Sequence, residues 1–100
     1  MKIRFEDVAD KELSETTAYI EAERIGFGAK LVAAVAAAGA QLLAFPQSGQ
    51  KVRAGLRRIL LDQFPLQLIY RVEGDEIVIY AVAHQSRRPG YWRKRLPPKS

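Results

Sequence analysis

The side chains of this 100-residue chain that could do chemistry are mostly guanidinium groups. Arg57 and Arg58 open one apolar stretch, Arg71 stands in the next, and Arg87 and Arg88 follow a third that ends at His84. That third stretch runs into AVAHQSRRPGYWRKR, where Tyr91 and Trp92 sit among Arg93, Lys94 and Arg95. Planar guanidinium forks suit phosphate and carboxylate oxygens alike. The rings between them suit base stacking, capping of a core or anchoring of a protein partner. The set points to an anionic partner, RNA or an acidic protein segment, and charge alone does not choose between them.

Other chemistries lack their parts. The chain has no cysteine, and His84 is its one histidine, so any nucleophile–base device would have to use His84 as the base. A histidine closing an apolar strand reads more simply as a structural residue. One histidine with scattered carboxylates gives no ligand cluster, so neither a metal nor a cofactor is expected. Gly26-Phe27-Gly28 resembles the start of a dinucleotide loop, but Leu31 stands where a third glycine is needed. It also follows a helical pattern rather than a strand, and it reads as a turn between helices.

Net charge is +5 but unevenly spread. Residues 1–25 hold seven acids against four bases, whereas residues 86–100 hold six bases and no acid. Such asymmetry marks one face for an anionic partner. The length and the 48% apolar content indicate a single globular domain over residues 1–100. The absence of cysteine suits a reducing cytoplasm, and MKIRFEDVADKE lacks the apolar run of a secretion signal. The apolar segment Leu31 to Phe45 is short and alanine-rich for a membrane span. The expectation is a cytoplasmic protein without a membrane partner.

The elements that must position the guanidiniums follow from periodicity. Lys2 to Phe5 alternates as a short strand. A helix follows, capped by Asp7 or Asp10, with Ala9, Leu13, Thr16 and Ile20 on its apolar face. In a second helix Phe27, Leu31, Val35, Ala38, Leu42 and Phe45 repeat at spacings of four and three, until Pro46 stops it. Small residues around this stripe, Ala33 and Gly39 among them, permit close approach of a neighbour. Strands are expected at Leu56–Phe64, Leu66–Glu73 and Glu76–His84, with Gly74-Asp75 as a type II′ turn. The unbroken apolar run from Ile77 to Ala83 implies a central strand covered on both faces. Tyr91 to Leu96 could make a short terminal helix. The order is β-α-α-β-β-β-(α), an α+β domain. With adjacent strands about 5 Å apart, the guanidiniums are expected to gather in one patch.

The stretch LRRILLDQFPLQLIYRVEGDEIVIYAVAHQSRRPGYW, with the helical hairpin before it, resembles the RelE/ParE superfamily of bacterial type II toxins. The resemblance implies a helical hairpin packed on a small antiparallel sheet. It also implies a cognate, ParD-like antitoxin that covers the toxin with an acidic, amphipathic segment. The ribonuclease branch cleaves messenger RNA on the ribosome with several basic side chains on adjacent strands and a terminal Tyr or His. Arg58 and Arg87 match two such positions, while Leu60 and Gln67 stand where further bases belong and Tyr91 is only approximately placed. Under that alternative, Arg58, Arg71, Arg87 and Tyr91 would stabilise charge and move protons. YRVEGDEIVIYAVAHQSRRPGYW is closer to the ParE branch, which is associated with protein–protein inhibition of DNA gyrase. That branch implies no catalytic residues, only a surface for target or antitoxin, with candidates Arg57, Arg58, Arg71, His84, Arg87, Arg88, Tyr91, Trp92, Arg93 and Arg95.

Overall fold

The alternation in KIRF forms strand β1, Lys2–Phe5, in a computed structural model that describes residues 1–85. Glu6 then stays extended, its N–H bonded to the Ile79 carbonyl at 3.0 Å, and occupies the cap position of helix α1, Asp7–Glu23. The expected aspartate cap is not formed. Asp7 and Asp10 lie inside the first turn, where their charge meets the positive end of the helix dipole. Ala9 is fully buried, and Leu13 and Ile20 pack partly against the same core.

Helix α2, Phe27–Ala44, returns along α1. Leu31, Ala38 and Leu42 of the expected stripe are buried and Val35 is partly so. Phe45 is not part of it: it is 67% exposed. The residue has left helical geometry at φ −137°, ψ 80°, so the helical spacing no longer aims it at the core. By length and composition α2, with mean hydropathy 1.6 over 18 residues, is long and apolar enough to cross a bilayer. Here it supplies core side chains instead.

Four strands follow: β2 (Gln50–Lys51), β3 (Arg57–Leu60), β4 (Leu66–Glu73) and β5 (Glu76–His84). The sheet order is β1-β5-β4-β3-β2, so β4 is the central strand and β5, expected to be central, is an interior strand flanked by β1 and β4. The sheet is mixed rather than wholly antiparallel, because β1 runs parallel to β5. The helical hairpin brings the chain back to the end where β1 finished, and the strand reversals that follow carry it up β5 in the direction of β1. Strand β3 is shorter than the apolar run suggested. Leu61 still donates to the Leu66 carbonyl at 2.9 Å, but Gln63 takes φ +68° and reverses the chain. The two-residue strand β2 was not legible in the loop sequence.

A bulge sets the faces of β5. Ile69 pairs with Ala81 but Tyr70 pairs with Ile79, so Tyr80 is the extra residue. Ile77, Ile79 and Val82 face the helices, while Val78, Tyr80 and Ala81 cluster with Ile69 and Leu56 on the other side. From α1, Glu12 reaches under the sheet and accepts the Val82 N–H at 3.0 Å, next to the bulge.

Candidate protein-recognition surface

Successive strand residues point to opposite faces, so Arg57 and Arg58 cannot share a patch. Arg57 pairs with Tyr70 on the helix side, and Arg58 pairs with Ile69 on the opposite side. Arg57 donates to the carbonyls of Gln47 at 3.0 Å and Gly49 at 2.9 Å. Beside it the Tyr70 hydroxyl donates to the Pro46 carbonyl at 2.8 Å and accepts the Gly49 N–H at 2.9 Å. Burial raises the pKa of this hydroxyl, against the opposing pull of the Gly49 N–H and the Arg57 charge. Arg57 and Tyr70 thus pin the loop between α2 and β2. The expected single guanidinium patch does not include Arg57.

Arg58 and Arg71 do share the face turned away from the helices, yet their surroundings differ. Arg58 donates through Nε and Nη2 to Gln50 Oε1 at 2.9 and 2.7 Å, and through Nη1 to Gln67 Oε1 at 3.5 Å. Both partners are neutral amides, and among the described residues Arg58 meets no carboxylate. Its stem is held between β2 and β4. Gln67, only 5% exposed, supports it from β4.

Arg71 is neutralised in place. Its Nε and Nη2 both lie 2.9 Å from Glu73 Oε2, and Nη2 lies 3.5 Å from the Tyr80 hydroxyl. Tyr80 also donates to Glu73 Oε2, and the guanidinium carbon sits 5.6 Å from the Tyr80 ring centre. Burial first, and then the Glu73 carboxylate, push the Tyr80 hydroxyl up to about 12. Burial also works to raise the Glu73 carboxyl, but the bonds from Tyr80 and Arg71 overcome it and hold the group below its ordinary value. Sequence reading missed this triad because it joins Arg71 and Glu73 of β4 to Tyr80 of β5, which only the strand register brings together.

Leu60 and Gln67, where the ribonuclease pattern would have bases, face one another in register. Leu60 is 53% exposed. His84 ends β5 opposite Leu66 and is exposed, on the helix side of the sheet and three β4 positions from Ile69, the partner of Arg58. Arg87, Arg88, Tyr91, Trp92, Arg93, Arg95 and the expected terminal helix lie outside the described residues. On the helix side an apolar groove of about 380 Å³ runs between α2 and β1, lined among others by Ile3, Phe5, Val35, Gly39 and Leu43. A Cβ on Gly39 would meet Ile3 at 3.2 Å, so the glycine allows α2 and β1 their close approach. Among the described residues no cluster of acids and histidine could hold a metal.

With this architecture in view, comparison with known families decides the assignment. The profile of the ParE toxin of type II toxin–antitoxin systems, parDE, matches residues 3–89. The chain belongs to the ParE toxin family. Among solved structures this ParE-family chain is similar to one from a chromosomal ParDE toxin–antitoxin system of P. aeruginosa. The two share 23% identity and a TM-score of 0.62, over 84% of this chain and 95% of the other, which is a likeness of fold. No curated protein sequence matches the chain.

Proposed function

We propose that this ParE-family chain is the toxin of a type II pair, that it acts in the cytoplasm by binding and inhibiting DNA gyrase, and that a cognate antitoxin neutralises it. The observation that carries the non-catalytic reading is Arg71. Cleavage of RNA requires several cations aimed at one phosphate as its charge develops. Arg71 already has a carboxylate partner in Glu73, and opposite Arg58 the next same-face pair is Leu60 and Gln67. What is left on the described sheet face is one uncompensated guanidinium beside an exposed leucine, which suits protein binding better than phosphate chemistry. Residues 87 to 95 add further basic and aromatic candidates by sequence.

A gyrase supercoiling assay with purified toxin tests the proposal. Supercoiling should fall with toxin concentration and recover when antitoxin is added. Unimpaired supercoiling at a large molar excess of toxin would overturn the choice of target.

A further inference from the structure

Helix α2 is apolar on two sides. Leu31, Ala38 and Leu42 supply the core, yet only 22% of the 18-residue helix is buried. Its outer face holds Ala29, Val32, Ala36, Ala40 and Leu43, all exposed, with Val32 at 53% and Leu43 at 45%. At 3.6 residues per turn these five fall within an arc of about 80°. Lys30 is the only charged residue of the helix, and from Leu31 to Ala40 there is no polar side chain. An apolar groove opens beside each end of the face. One of about 580 Å³ lies between α1 and α2 at Ala29 and Val32, and the groove of about 380 Å³ between α2 and β1 reaches Ala40 and Leu43.

Side-chain size reverses about Ala36. Four positions before it stands Val32 and four after it Ala40; seven before it stands Ala29 and seven after it Leu43. A second copy running antiparallel, with the two-fold axis at Ala36, sets Val32 on Ala40 and Leu43 on Ala29, large on small. Leu43 of each copy then meets the groove between α1 and α2 of the other, and Val32 meets the groove between α2 and β1. A parallel arrangement would stack Val32 on Val32 and Leu43 on Leu43, with alanine left against alanine. Charge selects the same direction. Helix α2 has no acid in its first turn and no base in its last, so neither end of its dipole is compensated by its own side chains. Antiparallel pairing brings the Lys30 end of each copy beside the carbonyl end of the other.

We infer that two copies of this chain associate through α2, antiparallel about Ala36. The helix is about 27 Å long, which makes this a contact at the small end of specific interfaces, and the dimer should form at micromolar concentrations. The inference rests on neither the antitoxin nor gyrase.

Sedimentation velocity of the purified full chain should show the mass rising from 11.2 kDa toward twice that value between about 2 and about 200 µM. Ala36→Glu places two carboxylates at the axis and should weaken association about ten-fold or more. Its melting temperature in dilute solution should match the parent's, because Ala36 is exposed and glutamate is a good helix former. The chain has no cysteine, so single introduced thiols report the geometry. Under mild oxidation Ala36→Cys should cross-link and Leu43→Cys alone should not, whereas Leu43→Cys mixed with Ala29→Cys should. A chain that stays monomeric at about 200 µM would overturn the inference, as would Leu43→Cys linking to itself faster than Ala36→Cys. An Ala36→Glu variant that loses antitoxin affinity alone would overturn it by giving the face to the antitoxin. Monomers that co-float with phosphatidylglycerol vesicles would overturn it in favour of a bilayer.

Discussion

Leu60 and Gln67 face each other directly across β3 and β4 on the side of the sheet turned away from the helices. An aliphatic chain and an amide thus occupy the cross-strand pair next to Arg58 and Ile69. Neither can supply the positive charge that the ribonuclease pattern places there. The amide of Gln67 instead accepts from Arg58 at 3.5 Å, so this pair orients a cation rather than adding one. Together with the Arg71–Glu73 ion pair at 2.9 Å, it leaves Arg58 as the arginine of this face without a carboxylate partner among the described residues.

The Tyr80–Glu73–Arg71 triad has a pH signature. Its hydroxyl, lifted to about 12 by burial and by Glu73, contributes stability that is complete below the ordinary tyrosine pKa and lost as pH rises through the folded value. The difference between the ultraviolet titrations of the parent and Tyr80→Phe should therefore show tyrosinate forming near 12. A midpoint at the ordinary value of about 10 would mean that the triad does not form.

Glu21 makes the turn between the helices sensitive to acid. Its carboxylate accepts N–H groups of Gly26 at 3.1 and 3.0 Å and of Gly28 at 2.9 Å, and these bonds hold its pKa below the usual range. The contribution is present above the unfolded pKa and disappears as pH falls through the folded one. Glu21→Gln should lower the melting temperature at neutral pH and reduce its loss on acidification. Parallel pH profiles for the two proteins would contradict the assignment.

Tyr70 should behave as a structural anchor. Tyr70→Phe leaves the buried Gly49 N–H without its acceptor, and denaturant unfolding should show a loss of about 1–3 kcal/mol. Gly49→Ala should be at least as damaging, because the added Cβ would lie 2.5 Å from the Tyr70 hydroxyl and 2.7 Å from the Arg58 carbonyl oxygen.

Glu12 ties α1 to the bulge. Removing its acceptor in Glu12→Ala strands the Val82 N–H and should cost on the order of 1–3 kcal/mol. Amide exchange at Val82 should accelerate more than at Leu68 on β4; equal acceleration would show that the bond does not stabilise the bulge locally.

Much of the fold was legible because periodicity and turn chemistry agreed. Strands β4 and β5 run from Leu66 to Glu73 and from Glu76 to His84 as expected, with Gly74 at φ +62° between them. The unbroken apolar run did mark an interior strand, paired on both edges, although β4 and not β5 is the middle of the sheet. What stayed hidden depends on register and direction. A parallel β1 leaves no local trace, and a bulge at Tyr80 looks like any other apolar pair. For the same reason Arg57 and Arg58 read as one cluster in sequence, although alternation sends them to opposite faces. The polar partners Gln50, Glu73 and Tyr80 come from three different strands or strand ends, and no spacing announces them.

The central claim is that this toxin acts by binding protein and not by cutting RNA. Primer extension on messenger RNA from translating ribosomes, at toxin concentrations that inhibit gyrase supercoiling, tests it most directly. Full-length message alone is the predicted result. Codon-aligned breaks with gyrase unaffected would contradict the account.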